Sequence, residues 1–78
     1  MQTKMASTFV LIVTQPGFEH DVLQSLNPLP SVKEAYAVYG IYDILARVEA
    51  ETVDELKAAI WRIRRIDKVS STLTMIIA

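Results

Sequence analysis

The stretch YGIYDILARV, residues 39–48, places a glycine and an acidic residue directly before an apolar run typical of a strand. A turn built on Gly40 exposes backbone amides, which can hold a carboxylate, while an ionised Asp43 can hold an ammonium group. Hydroxyl oxygens can complete such a shell, and the segment SSTLT, residues 70–74, is rich in them. Together with Tyr39 and Tyr42, these groups suit a zwitterionic ligand.

A structural interpretation of the same residues stands beside this one. Glycine and aspartate are common turn residues, so Gly40 and Asp43 can serve only to shape a hairpin. The hydroxyl residues can likewise be ordinary members of a sheet. The residue types alone leave both interpretations open.

Catalysis has little support in the sequence. General acid and base chemistry needs titratable side chains that face one another in a pocket, but the chain has one histidine and no carboxylate pair at a defined spacing. That histidine, His20, lies among acids early in a predicted helix, which indicates a solvated surface residue. There is no Cys, no metal-ligand spacing and no glycine-rich nucleotide motif. We expect a protein that is not an enzyme and that uses no cofactor or metal.

Two features of the second half have structural interpretations. Trp61 lies off the main apolar stripe of a predicted helix, which indicates the edge of the core or a subunit contact. The run RIRR, residues 62–65, follows acidic residues on the same helix and is typical of a solvated, ion-paired face.

Length and composition indicate association between copies. The 78 residues make one domain, and a chain of this size buries only about 60% of the surface that its unfolded form exposes. Neither disulfides nor a metal can reinforce this thin core. Hydrophobic residues make up 51% of the chain and charged residues 22%, which favours an apolar surface covered by another subunit. We expect a homo-oligomer.

The charge and hydropathy patterns exclude two kinds of partner. A net charge of −1 gives no basic footprint for nucleic acid. The longest apolar run, residues 9–13, is far shorter than the roughly 20 residues that span a bilayer. The opening residues MQTKM lack the apolar core of a secretory signal, so we expect a cytoplasmic protein.

Alternating and helical periodicities predict six elements. Strands are predicted over residues 7–14, 31–39, 42–49 and 69–78, and helices over residues 18–27 and from the capping box TVDE, residues 52–55, onward. The second helix is expected to bury one stripe, formed by Val53, Leu56, Ile60 and Ile63. The order predicts an α+β fold, a ferredoxin-like βαββαβ sandwich with a four-stranded antiparallel sheet and two helices on one face. The other face is too apolar for water, so a second sheet is expected to cover it.

The segment VKEAYAVYGIYDILARVEAETVDEL, residues 32–56, resembles the core of the RAM domain, the amino-acid-sensing effector module of Lrp/AsnC transcriptional regulators, with its V…A…V.G.YD pattern. The resemblance extends from FVLIVTQPG, residues 9–17, to the final STLTMIIA, residues 71–78. It identifies residues 1–78 as a single RAM domain with residues 1–5 as a flexible lead, similar to stand-alone RAM proteins. Only about five residues precede the first strand, too few for a helix-turn-helix, so we expect this chain alone not to bind DNA.

The resemblance implies dimers that form through their sheets, assemble into rings such as octamers, and bind free amino acids between subunits. In the family, the effector site combines the Gly-Tyr-Asp turn of one subunit with hydroxyl residues near the last strand of another. Here it maps onto Gly40, Tyr42, Asp43, Thr72 and Thr74, with Tyr39 and Ser70 as wall residues.

The sequence leaves three candidate functions for this chain. The first is a regulatory module that senses an amino acid and signals through its assembly or through partner regulators. The second is a structural subunit that co-assembles with full-length Lrp/AsnC regulators and needs no ligand. The third, a ferredoxin-like enzyme, would require a buried histidine or carboxylate in a cavity. ACT-type amino-acid-binding modules share the fold class, but the YGIYD match points away from them.

Overall fold

The computed structural model describes residues 5–76, which form six elements. These are β1 (Ala6–Thr14), α1 (Glu19–Leu26), β2 (Val32–Ala37), β3 (Ile44–Ala50), α2 (Val53–Arg64) and β4 (Val69–Ile76). All strand pairs are antiparallel, and the strands lie in the order β2-β3-β1-β4 across one sheet. The predicted βαββαβ order and ferredoxin-like fold are therefore confirmed.

The core lies between one face of the sheet and both helices. Alternate residues of β1 and β3 are fully buried, including Val10, Ile12, Ile44 and Val48, because successive side chains of a strand point to opposite faces. They form one cluster with buried residues of α1 and α2. Each fully buried Val, Leu or Ile side chain contributes about 1.5–3 kcal/mol to folding.

The opposite face of the sheet, called here the open face, is covered by neither helix. One row across it joins all four strands, since Tyr36 pairs with Leu45, Leu45 with Leu11, and Leu11 with Leu73. Leu73 is 45% exposed, and Leu11 and Leu45 are half-buried. The predicted uncovered apolar face is therefore a property of the folded chain.

Helix α2 begins as predicted and buries most of the predicted stripe, since Leu56 and Ile63 are buried and Ile60 packs against the core. The Thr52 hydroxyl accepts a hydrogen bond from the Glu55 amide at 3.1 Å, which is the forward half of the capping box. The buried residues are Leu56, Ala59 and Ile63, while Val53 is 59% exposed. The prediction for Val53 was wrong because it is the first residue of α2 and lines an open cleft beside Ala6 and Lys57 instead of entering the core.

The link between β2 and β3 is longer than a tight hairpin. Strand β2 ends at Ala37 rather than at residue 39, and β3 begins at Ile44 rather than at residue 42. Residues 38–43 form the connection, which is closed by a hydrogen bond from the Val38 amide to the Asp43 carbonyl at 2.9 Å. The predicted flexible lead falls, for residues 1–4, outside the described residues, as do residues 77–78 of the last predicted strand.

Neither helix within residues 5–76 has the length and apolar character needed to cross a membrane. The same range contains no group of three His, Asp or Glu side chains arranged to hold a metal ion.

Candidate functional site

The 38–43 connection displays its middle residues to solvent. Tyr39 and Ile41 are the most exposed large hydrophobic side chains among the described residues, and Gly40 between them has φ +144°, a conformation that residues with a side chain rarely adopt. Tyr42 and Asp43 are half-buried where the chain returns to the sheet. The glycine therefore sets the path of this loop, as the sequence indicated.

Asp43 is held in place by four hydrogen bonds. Its amide donates to the Ile12 carbonyl at 2.9 Å, and its carbonyl accepts from Val38. Its carboxylate oxygen Oδ2 accepts from the Thr14 amide at 2.8 Å and from the Thr14 hydroxyl at 3.3 Å. No donor within residues 5–76 reaches the other oxygen, Oδ1, and that stretch leaves no buried side-chain oxygen without a partner, so Oδ1 is accessible to solvent. The residue is thus both a structural tie and a fixed negative charge.

A cleft of about 470 Å³ adjoins this carboxylate. The loop side contributes Tyr39 and Asp43, and the start of α1 contributes Glu19, His20 and Leu23, which the sequence did not place at this site. His20 is exposed, as predicted, but it faces a cleft rather than open solvent alone. No local pattern in the sequence shows this proximity, because it arises from the packing of α1 beside β2.

The hydroxyl residues of β4 lie elsewhere in the same chain. Ser70 and Thr72 line a second cleft, of about 310 Å³, together with Arg64. Thr74 lines a third, of about 400 Å³, beside Thr8 and Ile60. The structure therefore brings Tyr39 and Asp43 together but places Ser70, Thr72 and Thr74 in two other clefts.

The strand register explains this separation. Thr72 is opposite Ile12 on one side of β1, and the Asp43 amide bonds to Ile12 from the other side. Two strand spacings amount to about 9–10 Å. Thr74 is opposite Val10 and lies further along the sheet. Within one chain, Thr72 and Thr74 therefore lie too far from Asp43 to contact the same functional group of a ligand.

Charged groups on the open face form one network. Arg47 pairs with Glu34 and, at 2.7 Å, with Glu49, and the Tyr36 hydroxyl donates to Glu34 at 2.5 Å. The hydrogen bonds from Tyr36 and Arg47 lower the pKa of Glu34, and the pKa of Tyr36 is raised because its proton is held by that carboxylate. The open face therefore carries a cluster of charged side chains next to its apolar row.

Residues 7–78 match the family model described as the Lrp/AsnC ligand binding domain. The chain belongs to this family. The match includes both helices, the loop that carries Gly40 and Asp43, and all of the four strands except the first residue of β1. The resemblance drawn from the YGIYD stretch is therefore confirmed.

Relatives of known name fall into two kinds. An uncharacterized HTH-type transcriptional regulator of Pyrococcus furiosus is 34% identical over an alignment of 74 positions, which covers 90% of this chain and 49% of that protein. A homocitrate synthase of Sulfurisphaera tokodaii is 45% identical over 56 residues, which make up 72% of this chain but 12% of the synthase. This chain spans about half the length of the regulator and a small part of the enzyme.

Solved structures agree with the sequence relationship. The crystal structure of FFRP-DM1 superimposes with a TM-score of 0.89 at 40% identity, covering 94% of this chain and 99% of that one. Escherichia coli AsnC gives a TM-score of 0.83 at 31% identity, over 92% of this chain and 50% of AsnC. The fold is thus that of a ligand-binding domain of regulators, and most of the named relatives are transcriptional regulators rather than enzymes.

Proposed function

We propose that this chain is an amino-acid-binding regulatory module that acts through the assembly of several copies. The observation that supports it most directly is the state of Asp43. One carboxylate oxygen is fixed by Thr14, and the other is accessible beside the cleft at Tyr39. A carboxylate held in this way loses little conformational entropy when it accepts hydrogen bonds from an ammonium group.

The ligand carboxylate is expected to lie toward the loop at Gly40, where nothing lies within 4 Å of the position of a Cβ and a ligand can approach the backbone. Tyr42, which is half-buried next to Asp43 in the chain, is proposed as part of the same site. The remaining groups, Ser70, Thr72 and Thr74, are too far from Asp43 within one chain, so we assign them to the site of a neighbouring copy. Under this proposal each site is complete only in the assembly.

Assembly is supported by the open face. Its apolar row across four strands has no cover within residues 5–76, and burial of such a surface is the main driving force of stable association. We propose dimers that pair through this face, with dimers joining into a ring that has eight subunits. The protein is proposed to act in the cytoplasm and to contact DNA only through partner regulators.

A second candidate is a structural subunit that joins full-length Lrp/AsnC regulators without a ligand of its own. The open face supports it equally, because pairing through the sheet does not require an intact Asp43 site. A matching segment within a protein named homocitrate synthase also indicates that this domain type occurs in chains of more than one kind. In either case the regulatory effect depends on the proteins with which the module assembles.

A thermal-shift screen against the free amino acids separates the two candidates. A ligand that binds only the native state adds about 2.7 kcal/mol at a hundredfold excess over its dissociation constant. We expect one amino acid, or a chemically related few, to raise the melting temperature in a concentration-dependent way. If no free amino acid stabilises the assembled protein, the sensing function is wrong and the structural subunit is favoured.

A further inference from the structure

The side of α2 that faces away from the sheet carries acids near its start and arginines near its end. Four exposed residues follow one another along it at intervals of four, three and four positions, namely Asp54, Ala58, Trp61 and Arg65. Residues three and four apart lie on one side of a helix, so these four form a single line, called here the outer stripe. The residues that α2 buries are on the opposite side. The outer stripe therefore takes no part in the core of its own chain.

The charges along the outer stripe are complementary to those of an antiparallel copy. Asp54 is in the first turn of α2, and Arg65 directly follows its last residue. When two copies of the helix lie antiparallel, Asp54 of each copy comes opposite Arg65 of the other. Glu55 and Arg62, which flank the stripe, come together in the same way. The ion pairs found within residues 5–76 all involve Arg47, so in that range these four charges have no partner in their own chain.

The middle of the outer stripe is complementary in shape. Ala58 lies four residues after Asp54, and Trp61 lies four residues before Arg65, so the same antiparallel register places the small Ala58 of one copy opposite the large Trp61 of the other. Trp61 is 60% exposed, and the Arg64 guanidinium carbon lies 5.0 Å from its ring centroid, which is a cation–π contact that holds the ring in place. Trp and Arg are the residue types that contribute most to binding at protein interfaces. The stripe thus offers an aromatic anchor and a small residue on which that anchor can pack.

We propose that α2 pairs with α2 of a second copy through the outer stripe, antiparallel and about a two-fold axis. The inference rests on the proposed function, because it names the contact through which dimers paired by the open face join into a ring. The helices and the open face are on opposite sides of the sheet, so both contacts can form at once, and two different two-fold contacts can alternate around a closed ring.

The size of the contact fits this secondary role. A helix of 12 residues is about 18 Å long, whereas a standard stable interface buries about 1,600 Å² in total. One pair of helices is therefore expected to be too small to hold two chains together. Repetition around a ring strengthens it, because each further contact forms between chains that are already held close to one another.

Sedimentation velocity of charge-reversed chains, without added amino acid, tests the proposal. We expect the unmodified chain to sediment as a species larger than a dimer. Arg65→Glu should reduce it to the dimer, because two acids then face each other at each end of the contact, and Asp54→Arg should do the same through facing arginines. The double variant Asp54→Arg/Arg65→Glu should restore the larger species, since a two-fold contact is complementary again when both of its ends are reversed. An equimolar mixture of the two single variants should restore it for the same reason.

Asp21→Arg is the matched control, since it makes the same substitution as Asp54→Arg at an exposed position in the first turn of α1 and should leave the larger species intact. The proposal is overturned if Arg65→Glu has the same size as the unmodified chain, or if neither the double variant nor the mixture restores the larger species. Pairing through the open face is tested at a different residue, Leu73, and amino-acid sensing by ligand binding. The three proposals can therefore fail independently.

Discussion

The backbone amide of Thr14 donates to Oδ2 of Asp43 across 2.8 Å, which ties the end of β1 to the residue that precedes β3. A carboxylate used in this way is not free to move. The contact establishes the structural role of Asp43 through Oδ2, and Oδ1, which no donor within residues 5–76 reaches, is the oxygen that the proposed ligand would contact. Substitutions at position 43 can therefore separate the two roles.

We predict that Asp43→Asn reduces amino-acid affinity about ten- to hundredfold and leaves the protein folded and assembled. The amide oxygen of Asn can still accept from Thr14, but the charge-assisted hydrogen bond to an ammonium, with a net value of about 1.5–3 kcal/mol, is lost. Calorimetric titration with the strongest amino acid from the screen measures the change. Thr14→Val is the control, because it removes only the 3.3 Å hydroxyl contact and should not alter affinity. Unchanged affinity in a correctly assembled Asp43→Asn protein would remove Asp43 from the site.

The open face makes a separate prediction about assembly. Light scattering should show at least a dimer for the unmodified chain, and Leu73→Lys should shift it toward monomer, because a charge placed in an apolar interface is costly to desolvate. Val53→Lys introduces the same side chain at a similarly exposed apolar position on the helix side and should retain the dimer. A monodisperse monomer of the unmodified chain at micromolar concentration would contradict pairing through this face.

The extent of sequence-based prediction differed between the fold and the site. Alternation indicated a strand over residues 42–49, in which Ile44, Ala46 and Val48 are buried, and the capping box located the start of α2, because both signals are local. The position of His20 beside Asp43 and that of Arg64 beside Ser70 depend on how helices pack on the sheet. Lys68, with φ +75°, lies in the turn that brings β4 back beside α2, and a lysine gives no sign of such a conformation.

The Glu34–Arg47–Glu49 network predicts a pH dependence of stability. Hydrogen bonds from Tyr36 and Arg47 lower the pKa of Glu34 below its ordinary value of 4.5. Ionised Glu34 therefore stabilises the folded protein above that pH, and this stabilisation is lost as the pH falls through the folded-state pKa. In Glu34→Gln, the free energy of unfolding should therefore fall less steeply as the pH is lowered. Urea unfolding at fixed protein concentration, from pH 6 downward, measures this. The side chain is exposed, so the effect should be small and should weaken further at high salt. If the free energy of unfolding falls equally steeply with pH in the two proteins, the network does not contribute to stability.

The cap of α2 supplies a prediction of stability alone. Thr52→Ala removes the hydroxyl that accepts from the Glu55 amide, and we expect a loss of about 1 kcal/mol. Thr52→Ser keeps the acceptor and should remain within a few tenths of a kcal/mol of the unmodified protein. The amino acid should raise the melting temperature by the same amount in Thr52→Ala, in Thr52→Ser and in the unmodified protein. A changed increment would place this end of α2 in the ligand site.

Gly40→Ala tests whether the loop conformation serves the ligand. No atom lies within 4 Å of the position that a Cβ would take, so the substitution causes no clash, and its cost arises from the backbone alone because φ is +144°. The loop is exposed and can relax by changing that angle, so the loss of stability should stay at about 1 kcal/mol or less while the amides at residue 40 move. Amino-acid affinity is then expected to fall about tenfold or more. Gly17→Ala is the matched control, since Gly17 has φ +87°, also has nothing within 4 Å of an added Cβ, and lies in the turn before α1. Gly17→Ala should lower stability by a similar amount and leave amino-acid affinity unchanged. Equal losses of affinity in the two variants would show that general destabilisation, and not the geometry of the Gly40 loop, controls binding.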